Sequence, residues 1–197
     1  MQREKSNERV ILGIDPGTAV MGYGLIREVK NNSELISLGV IKLDHVEDHP
    51  SKLKRIFEKT VVLIDQYHPD CLAIEAPFYG KNIQVMLKLG RAQGVAMAAA
   101  LSRNIPIFEY SPRKIKQSIT GNGNATKEQV AAMLQALLKF KETPEFLDAT
   151  DGLAVAVCHS FQKMTTSGTG NKSYSGWEAF VKDNEKRVSK VNPIKGG

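Results

Sequence analysis

Four acidic residues lie in or next to segments whose apolar sequence predicts that they are buried. They are Asp15, Glu75, Asp148 and Asp151. The first two end the short apolar runs at residues 10–14 and 71–74, and the last two stand three apart at the head of an apolar helical stretch. Carboxylates are almost never fully buried unless they are paired or hold a metal ion. The pattern therefore predicts one cation site to which three segments contribute.

The order of the predicted elements is that of a known α/β fold. Residues 10–43 contain three short apolar runs separated by turns, which predicts three antiparallel strands. Helical spacing at residues 53–67 is followed by a buried strand at 71–75, a long helix at 82–102 and a strand at 105–110. Further helices complete the chain. This succession predicts a ribonuclease H-like fold, with a mixed five-stranded sheet flanked by helices.

That fold brings the four acids together. The first and fourth strands lie side by side in this topology, so Asp15 and Glu75 are neighbours, and the final helix crosses near their ends. Thr143-Pro144 predicts the start of that helix, which places Asp148 and Asp151 in its first two turns. Residues three apart share a helix face, so both carboxylates point the same way.

The ligand types favour a hard cation. Carboxylate oxygens without a His or Cys cluster select Mg²⁺ or Mn²⁺ over Zn²⁺. Two such ions about 4 Å apart activate a water and stabilise the leaving oxygen of a displacement at phosphorus. Four carboxylates balance the charge of two divalent ions. Each acid also has a structural explanation, such as turn formation or helix capping, and Asp151 is the hardest to explain in that way.

A basic block lies between these acids in the sequence. Residues 76–127 carry eight Lys and Arg against one acid, a formal +7 in a chain whose net charge is +6. A positive surface beside a metal-binding acidic centre suits a polyanionic substrate. The alternative is that the charges only solvate helix faces.

The motifs, taken in order, resemble the RuvC family of bacterial Holliday-junction resolvases. The resemblance covers about residues 10–159, and the tail after residue 163 lies outside it. The motifs that carry it are Ile14-Asp15-Pro16-Gly17, Ala73-Ile74-Glu75, Leu87-Lys88-Leu89-Gly90, residues 113–117, and Asp148-Ala149-Thr150-Asp151. None would suffice alone, but the ordered set is highly specific.

The resemblance implies a reaction and the residues for it. It implies a homodimeric, Mg²⁺-dependent endonuclease that nicks two opposed strands of four-way junction DNA in recombination and repair, with the branch-migration proteins RuvA and RuvB as partners. By motif position, the catalytic and metal-binding residues are Asp15, Glu75, Asp148 and Asp151. The implied DNA-binding residues are Phe78, Arg113, Lys114, Lys116 and Lys127.

Three positions carry specific expectations. Lys116 and Lys127 fall where family members place lysines against junction phosphates, which suits the compact charge of an ammonium group. Phe78 falls where a family aromatic stacks on a base at the crossover, although the ring could instead pack beneath its own loop. Gly152 departs from the family, which more often has alanine there, and a helical glycine costs about 0.5–1 kcal/mol. A looser turn is therefore expected at Gly152.

Two other classes compete with this interpretation. Actin-like ATPases and sugar kinases also begin with a turn like that at residues 13–18, but they need two ribonuclease H-like domains, and 197 residues are too few for both. A junction-binding scaffold with an inactive site has no need of four carboxylates.

Composition divides the chain into one domain and two polar ends. We expect a polar N-terminal extension at residues 1–9, a ribonuclease H-like nuclease domain at 10–163 and a flexible basic tail at 164–197. The N-terminus lacks the apolar centre of a signal peptide, and no apolar window is long enough to cross a membrane. Cys71 and Cys158 have no metal or redox spacing, so we expect buried free thiols and a cytoplasmic protein.

Overall fold

A computed structural model describes residues 8–30, 32–46, 48–77, 82–140 and 147–166, the last four of them by backbone alone. Within these ranges the elements are, in chain order, β1 (Glu8–Asp15), β2 (Val20–Val29), β3 (Asn32–Lys42), α1 (His49–Tyr67), β4 (Cys71–Glu75), α2 (Ile83–Leu101), β5 (Ile107–Tyr110), α3 (Pro112–Thr120), α4 (Lys127–Leu138) and α5 (Leu147–Thr166).

The strands form one mixed sheet in the order β3-β2-β1-β4-β5. The β1–β2 and β2–β3 pairs are antiparallel, whereas β4 runs parallel to both β1 and β5. Ile14 of β1 lies opposite Ile74 of β4, so the next residues, Asp15 and Glu75, end neighbouring parallel strands at the same edge. The predicted ribonuclease H-like fold with a mixed five-stranded sheet is confirmed.

Alternation along β1 divides the core into two layers. Leu12 and Ile14 face α1 and α2, where they pack with residues such as Ile56. Ile11 faces the opposite side, which α3, α4 and α5 cover. Because successive side chains of a strand point to opposite faces, Asp15 lies on the same side as Ile11. The strand pattern thus directs the first acid toward α5.

Helix α5 lies almost directly on the backbones of β1 and β2. A Cβ atom added to Gly13 would stand 2.3 Å from the Gly152 carbonyl oxygen, and one added to Gly24 would stand 2.4 Å from Leu153 Cα. A Cβ atom on Gly152 would meet backbone atoms of Gly22 and Tyr23 at 2.5 Å. Real side chains do not tolerate such distances, so the glycine at position 152 is a packing requirement rather than a loose turn.

The structure also bears on the predictions for the cysteines, the domain boundaries and membrane-spanning segments. Both cysteines are buried and neither is in a disulfide bond, as expected. The predicted helix start at Thr143-Pro144 lies outside the described residues, as do residues 1–7 and 167–197, and the domain division stays a prediction. Helix α5 continues to Thr166, three residues beyond the boundary drawn at 163. In the described part of the chain, no helix combines the length and apolarity needed to cross a membrane.

The close contact of α5 with the sheet is testable at Gly152. Alanine is intrinsically the better helix former by about 0.5–1 kcal/mol. We nevertheless expect Gly152→Ala to lower the free energy of unfolding by about 1–3 kcal/mol, because its methyl group overpacks the contact with β2. Urea denaturation monitored by circular dichroism measures the change. A variant as stable as the parent, or more stable, would show that α5 does not need this close approach.

Candidate active site

Three elements deliver the acids to one pocket. Asp15 is the last residue of β1, Glu75 is the last residue of β4, and Asp151 lies in the second turn of α5. The pocket has a volume of about 220 Å³, and Lys116 of α3 and Lys127 of α4 also line it. Apolar side chains of α3, α4 and α5 complete its walls. The structure therefore brings three of the four predicted acids and two of the predicted lysines together.

Asp148 stands at the rim of this site. Its side chain is 42% exposed, against 16% for Asp151, and it does not line the pocket itself. Lys127 connects the two acids: its Nζ lies 3.3 Å from Asp148 Oδ1 and donates a short hydrogen bond to Asp151 Oδ2. The fourth predicted acid thus joins the site through an ion pair that it shares with Asp151.

The start of α4 fixes the base of the Lys127 side chain. Thr126 is the N-cap residue, and its hydroxyl accepts from the backbone N–H of Gln129 while the Gln129 side chain accepts from the Thr126 N–H. This reciprocal capping box satisfies two otherwise unpaired donors and holds the first turn. Lys127 is the next residue after the cap, so the capping box determines where its side chain leaves the helix.

Burial and mutual repulsion raise the pKa of two acids. Burial is the larger cause for Asp15, with repulsion from Asp151 next, and together they raise the pKa of Asp15 to about 7. For Glu75, burial and then repulsion from Asp15 raise the pKa to about 8. Both carboxyls are therefore partly protonated near neutral pH unless further positive charge enters the pocket.

Lys127 offsets part of this repulsion. Burial raises the pKa of Asp151, and the hydrogen bond from Lys127 opposes that rise. Partial burial is the largest single effect and works against the charged form of Lys127, but the hydrogen bonds and charge attraction of Asp151 and Asp148 together outweigh it and raise the pKa of Lys127. The ammonium group is therefore charged at every pH at which these acids ionise.

The donor chemistry of the pocket fits a hard divalent cation. Its acids offer only oxygen ligands, and burial, followed by repulsion from neighbouring acids, raises the pKa of Asp15 and Glu75. As the side chains stand, no three His, Cys, Asp or Glu groups among the described residues are close enough together to hold a metal ion. Asp148 and Asp151 both contact the Lys127 ammonium.

The predicted DNA-binding residues lie on different parts of the surface. Lys116 is partly buried and lines the pocket. Arg113 and Lys114 are exposed on α3 and do not line it. Phe78 lies outside the described residues. Lys127 pairs with acids, which its position after a Gly/Asn loop did not indicate.

Gln93 of α2 is a buried residue beside the site, and the sequence analysis did not identify it. Its Nε2 donates to Glu109 Oε2 at 2.8 Å and to the backbone carbonyl of Glu75 at 3.4 Å. It thereby ties α2 to the ends of β4 and β5. The available signal was a single amide side chain in a stretch of small and apolar residues.

The fold and the site together define a class. A ribonuclease H-like sheet with carboxylates at the edge shared by β1 and β4, and lysines beside them, is the arrangement of a ribonuclease H-like nuclease. This class comprises many substrates and cleavage patterns, so comparison with known proteins is needed to narrow it.

Comparison with known proteins places the chain in one family within that class. The family model described as "Crossover junction endodeoxyribonuclease RuvC" matches residues 11–159. A protein of that name from Cytophaga hutchinsonii is 59% identical over 187 residues, which cover 95% of this chain and 92% of that protein. The chain belongs to the RuvC family of crossover junction endodeoxyribonucleases, a family of metal-dependent nucleases.

Solved structures agree with this membership. RuvC of Thermus thermophilus in complex with a Holliday junction substrate is 30% identical, with a TM-score of 0.74, and the match covers 80% of this chain and 97% of that one. The yeast mitochondrial Holliday junction resolvase Ydc2 is 16% identical, with a TM-score of 0.62 and coverage of 88% and 83%. The second likeness shows the shared fold alone.

The raised pKa of Asp15 makes a prediction about stability and pH. A carboxyl with a pKa near 7 when folded and 3.8 when unfolded stabilises the folded state fully below about pH 4, and this contribution is lost as the pH rises to about 7. We therefore expect Asp15→Asn, without divalent cations, to raise the melting temperature at pH 8 by about 3 °C or more and to change it much less at pH 5.

Differential scanning calorimetry in chelator at both pH values measures this effect. Glu58→Gln on the exposed face of α1 is the matched control and should leave the melting temperature unchanged at both. An equal shift of the Asp15→Asn variant at pH 5 and pH 8 would show that Asp15 is ionised in the folded protein at both.

Proposed function

We propose that this protein is a Holliday-junction resolvase that hydrolyses one phosphodiester bond in each of two opposed strands of a four-way DNA junction. The observation that carries the proposal is the pocket in which Asp15, Glu75 and Asp151 converge beside two lysines, in a chain of the RuvC family. The names of its relatives and the junction complex of the Thermus thermophilus protein support this substrate.

The acids are the residues that hold the metal in this proposal. Asp15, Glu75, Asp148 and Asp151 supply oxygen ligands for Mg²⁺, with Mn²⁺ as a substitute and two ions in each site. Bound ions of this kind activate water and stabilise a leaving oxygen at phosphorus. The chain's part is to hold four carboxylates in a half-buried pocket, where their ionisation depends on incoming positive charge.

The basic side chains are the residues that hold the DNA. Lys116 is in the pocket wall, where it would contact a junction phosphate, and Arg113 and Lys114 extend the positive surface along α3. Lys127 contributes a further phosphate contact, and Phe78 stacks on a base at the crossover. Charge of this kind supplies affinity for the backbone without reading sequence.

The reaction and the substrate are tested together by one substitution. Nicking of a synthetic mobile four-way junction is measured with Mg²⁺, against a linear duplex of the same sequence. We expect paired symmetric nicks in the junction only. We expect Asp148→Asn to reduce the cleavage rate by about a thousandfold or more, because the change removes a metal ligand. Junction binding should persist, because the change removes no positively charged side chain that contacts DNA.

Two outcomes would contradict the proposal. A junction that is bound by the parent protein but stays intact with Mg²⁺ and with Mn²⁺ would identify a binding scaffold. Equal nicking of the linear duplex would identify a nuclease that does not select junctions.

We further propose that the enzyme is a homodimer that associates through α2. Apolar side chains on this helix are exposed: Ile83 is 71%, Leu87 53% and Leu101 61% accessible. A Cβ atom on Gly90 or Gly94 would meet nothing within 4 Å, so these glycines face away from the sheet. Such a surface suits close packing with a second copy, and two-fold symmetry supplies the second active site that paired nicks require.

The dimer proposal predicts the effect of a charge on α2. Leu87→Arg should convert a dimer into a monomer, because it places a charge in the apolar contact, and light scattering coupled to size-exclusion chromatography measures the mass. Met133→Arg, on the exposed face of α4, is the matched control and should remain dimeric. A Leu87→Arg protein with the mass of the parent dimer would place the interface elsewhere.

The cell compartment and the protein partners are narrower proposals. The two buried cysteines, which are not in a disulfide bond, and the bacterial relatives support a cytoplasmic enzyme. RuvA and RuvB as branch-migration partners follow from family membership.

A further inference from the structure

We propose that the Lys127 ammonium holds the cation position of the metal-free site, and that a divalent cation must displace it from Asp148 and Asp151, which frees Lys127 to bind a junction phosphate. The inference rests on the proposed function and extends it. One side chain would then link metal binding to DNA binding.

The geometry places Lys127 where a shared cation belongs. Its Nζ lies 3.3 Å from Asp148 Oδ1 and donates a hydrogen bond to Asp151 Oδ2. Asp148 and Asp151 are three residues apart on α5, so both carboxylates face one point, and the ammonium lies at that point. A cation bridging these two acids at this point would compete with the ammonium for these oxygens.

The charge of Lys127 acts on the whole acid set. Of the groups that face the pocket from β1, β4, α3, α4 and α5, Lys127 lowers the pKa of Asp15, Glu75 and Asp151 alike. Lys116, from α3, lowers the pKa of Glu75 and Asp151. Lys127 therefore supplies part of the positive charge that a metal ion would bring.

Exchange is favoured over coexistence for two physical reasons. An ammonium and a divalent cation that share ligands repel each other strongly at such short range. The ammonium also occupies lone pairs on one oxygen of each carboxylate, which reduces what the two acids can offer a cation. While Lys127 is in place, its ammonium contacts one carboxylate oxygen of Asp148 and one of Asp151. Displacement of the ammonium is the movement that makes both carboxylates available.

Lys127 is free to make this movement. Its side chain is 49% exposed, and it belongs to the first residue of α4, whose backbone the Thr126 capping box holds in place. The four-carbon stem can therefore turn toward solvent without disturbing the helix. A released ammonium at the pocket rim is positioned for a phosphate oxygen, which agrees with the role expected from the sequence.

The exchange couples the two ligands in both directions. A phosphate that binds Lys127 draws it away from the acids and strengthens metal binding, and by linkage a bound metal strengthens DNA binding by the same factor. Without a divalent cation, Lys127 stays with Asp148 and Asp151, and the protein holds DNA with about one phosphate contact fewer.

Calorimetric titration of Mn²⁺ into the full-length protein, without DNA, tests the inference directly. We compare the parent protein with Lys127→Met and Lys116→Met. Both changes remove one positive charge from the same pocket, but Lys116 has no ion pair with these acids among the described residues. We expect Lys127→Met to bind Mn²⁺ about tenfold more tightly than the parent, since a competing state that is about 90% populated is removed. Lys116→Met should gain no more than about threefold.

Thermal denaturation supplies a second measurement. In chelator, Lys127→Met should melt below the parent protein, because Asp148 and Asp151 lose their counter-charge, and saturating Mn²⁺ should bring the two melting temperatures together. A purely structural role for the lysine stem would lower the melting temperature equally with and without Mn²⁺.

The outcomes separate this inference from the proposed function. Equal gains in Mn²⁺ affinity for both variants would show that only the general loss of positive charge matters. Weaker Mn²⁺ binding by Lys127→Met would show that the lysine helps to hold the metal site together. Either result overturns the inference, while junction cleavage by the parent protein would still support the proposed function. A parent protein that binds no Mn²⁺ and cleaves no junction would overturn the proposed function itself.

Discussion

The contact of α5 with the backbones of β1 and β2 is the constraint on which the site depends. Side-chain-bearing residues at positions 13, 24 and 152 would hold the helix away from the sheet, since the Cβ atoms would stand within about 2.5 Å of backbone atoms. A helix that lay farther away would carry Asp148 and Asp151 out of reach of Asp15. These glycines lower the intrinsic tendency of their own strands and helix to form. They also allow the close contact that sets the geometry of the site.

The same closeness creates a charge problem that the fold only partly solves. Asp15 and Glu75 are largely buried, and both have raised pKa values because burial and repulsion oppose their ionised forms. Lys127 compensates two acids directly and lowers the pKa of the others through space. A binding site that is unfavourable without its ligand is a common relation between stability and function. Here burial and repulsion disfavour the ionised acids that the proposed function needs.

Much of the fold and of the candidate site followed from local pattern. The run at residues 10–14 and its acid predicted β1, and the run at residues 71–74 predicted β4, because short buried strands have few alternatives. Asp151 was recognisable since a carboxylate within an Ala/Val-rich helix has no ordinary structural explanation. The expectation for Gly152 was incomplete, because a propensity scale contains no information about the strand against which the helix packs. Gln93 was missed for the same reason.

By itself, the sequence determined which residue types were present and in what order, and hence the fold, the family and an oxygen-ligand site. Those properties depend on neighbours along the chain, so periodicity and motif spacing record them. The tertiary structure decided which of the acids share a pocket, that Asp148 stands at the rim, and that Lys127 faces the carboxylates of Asp148 and Asp151. These are distances between side chains 21 to 24 residues apart or more, set by how α4 and α5 pack on one sheet. No local pattern encodes them.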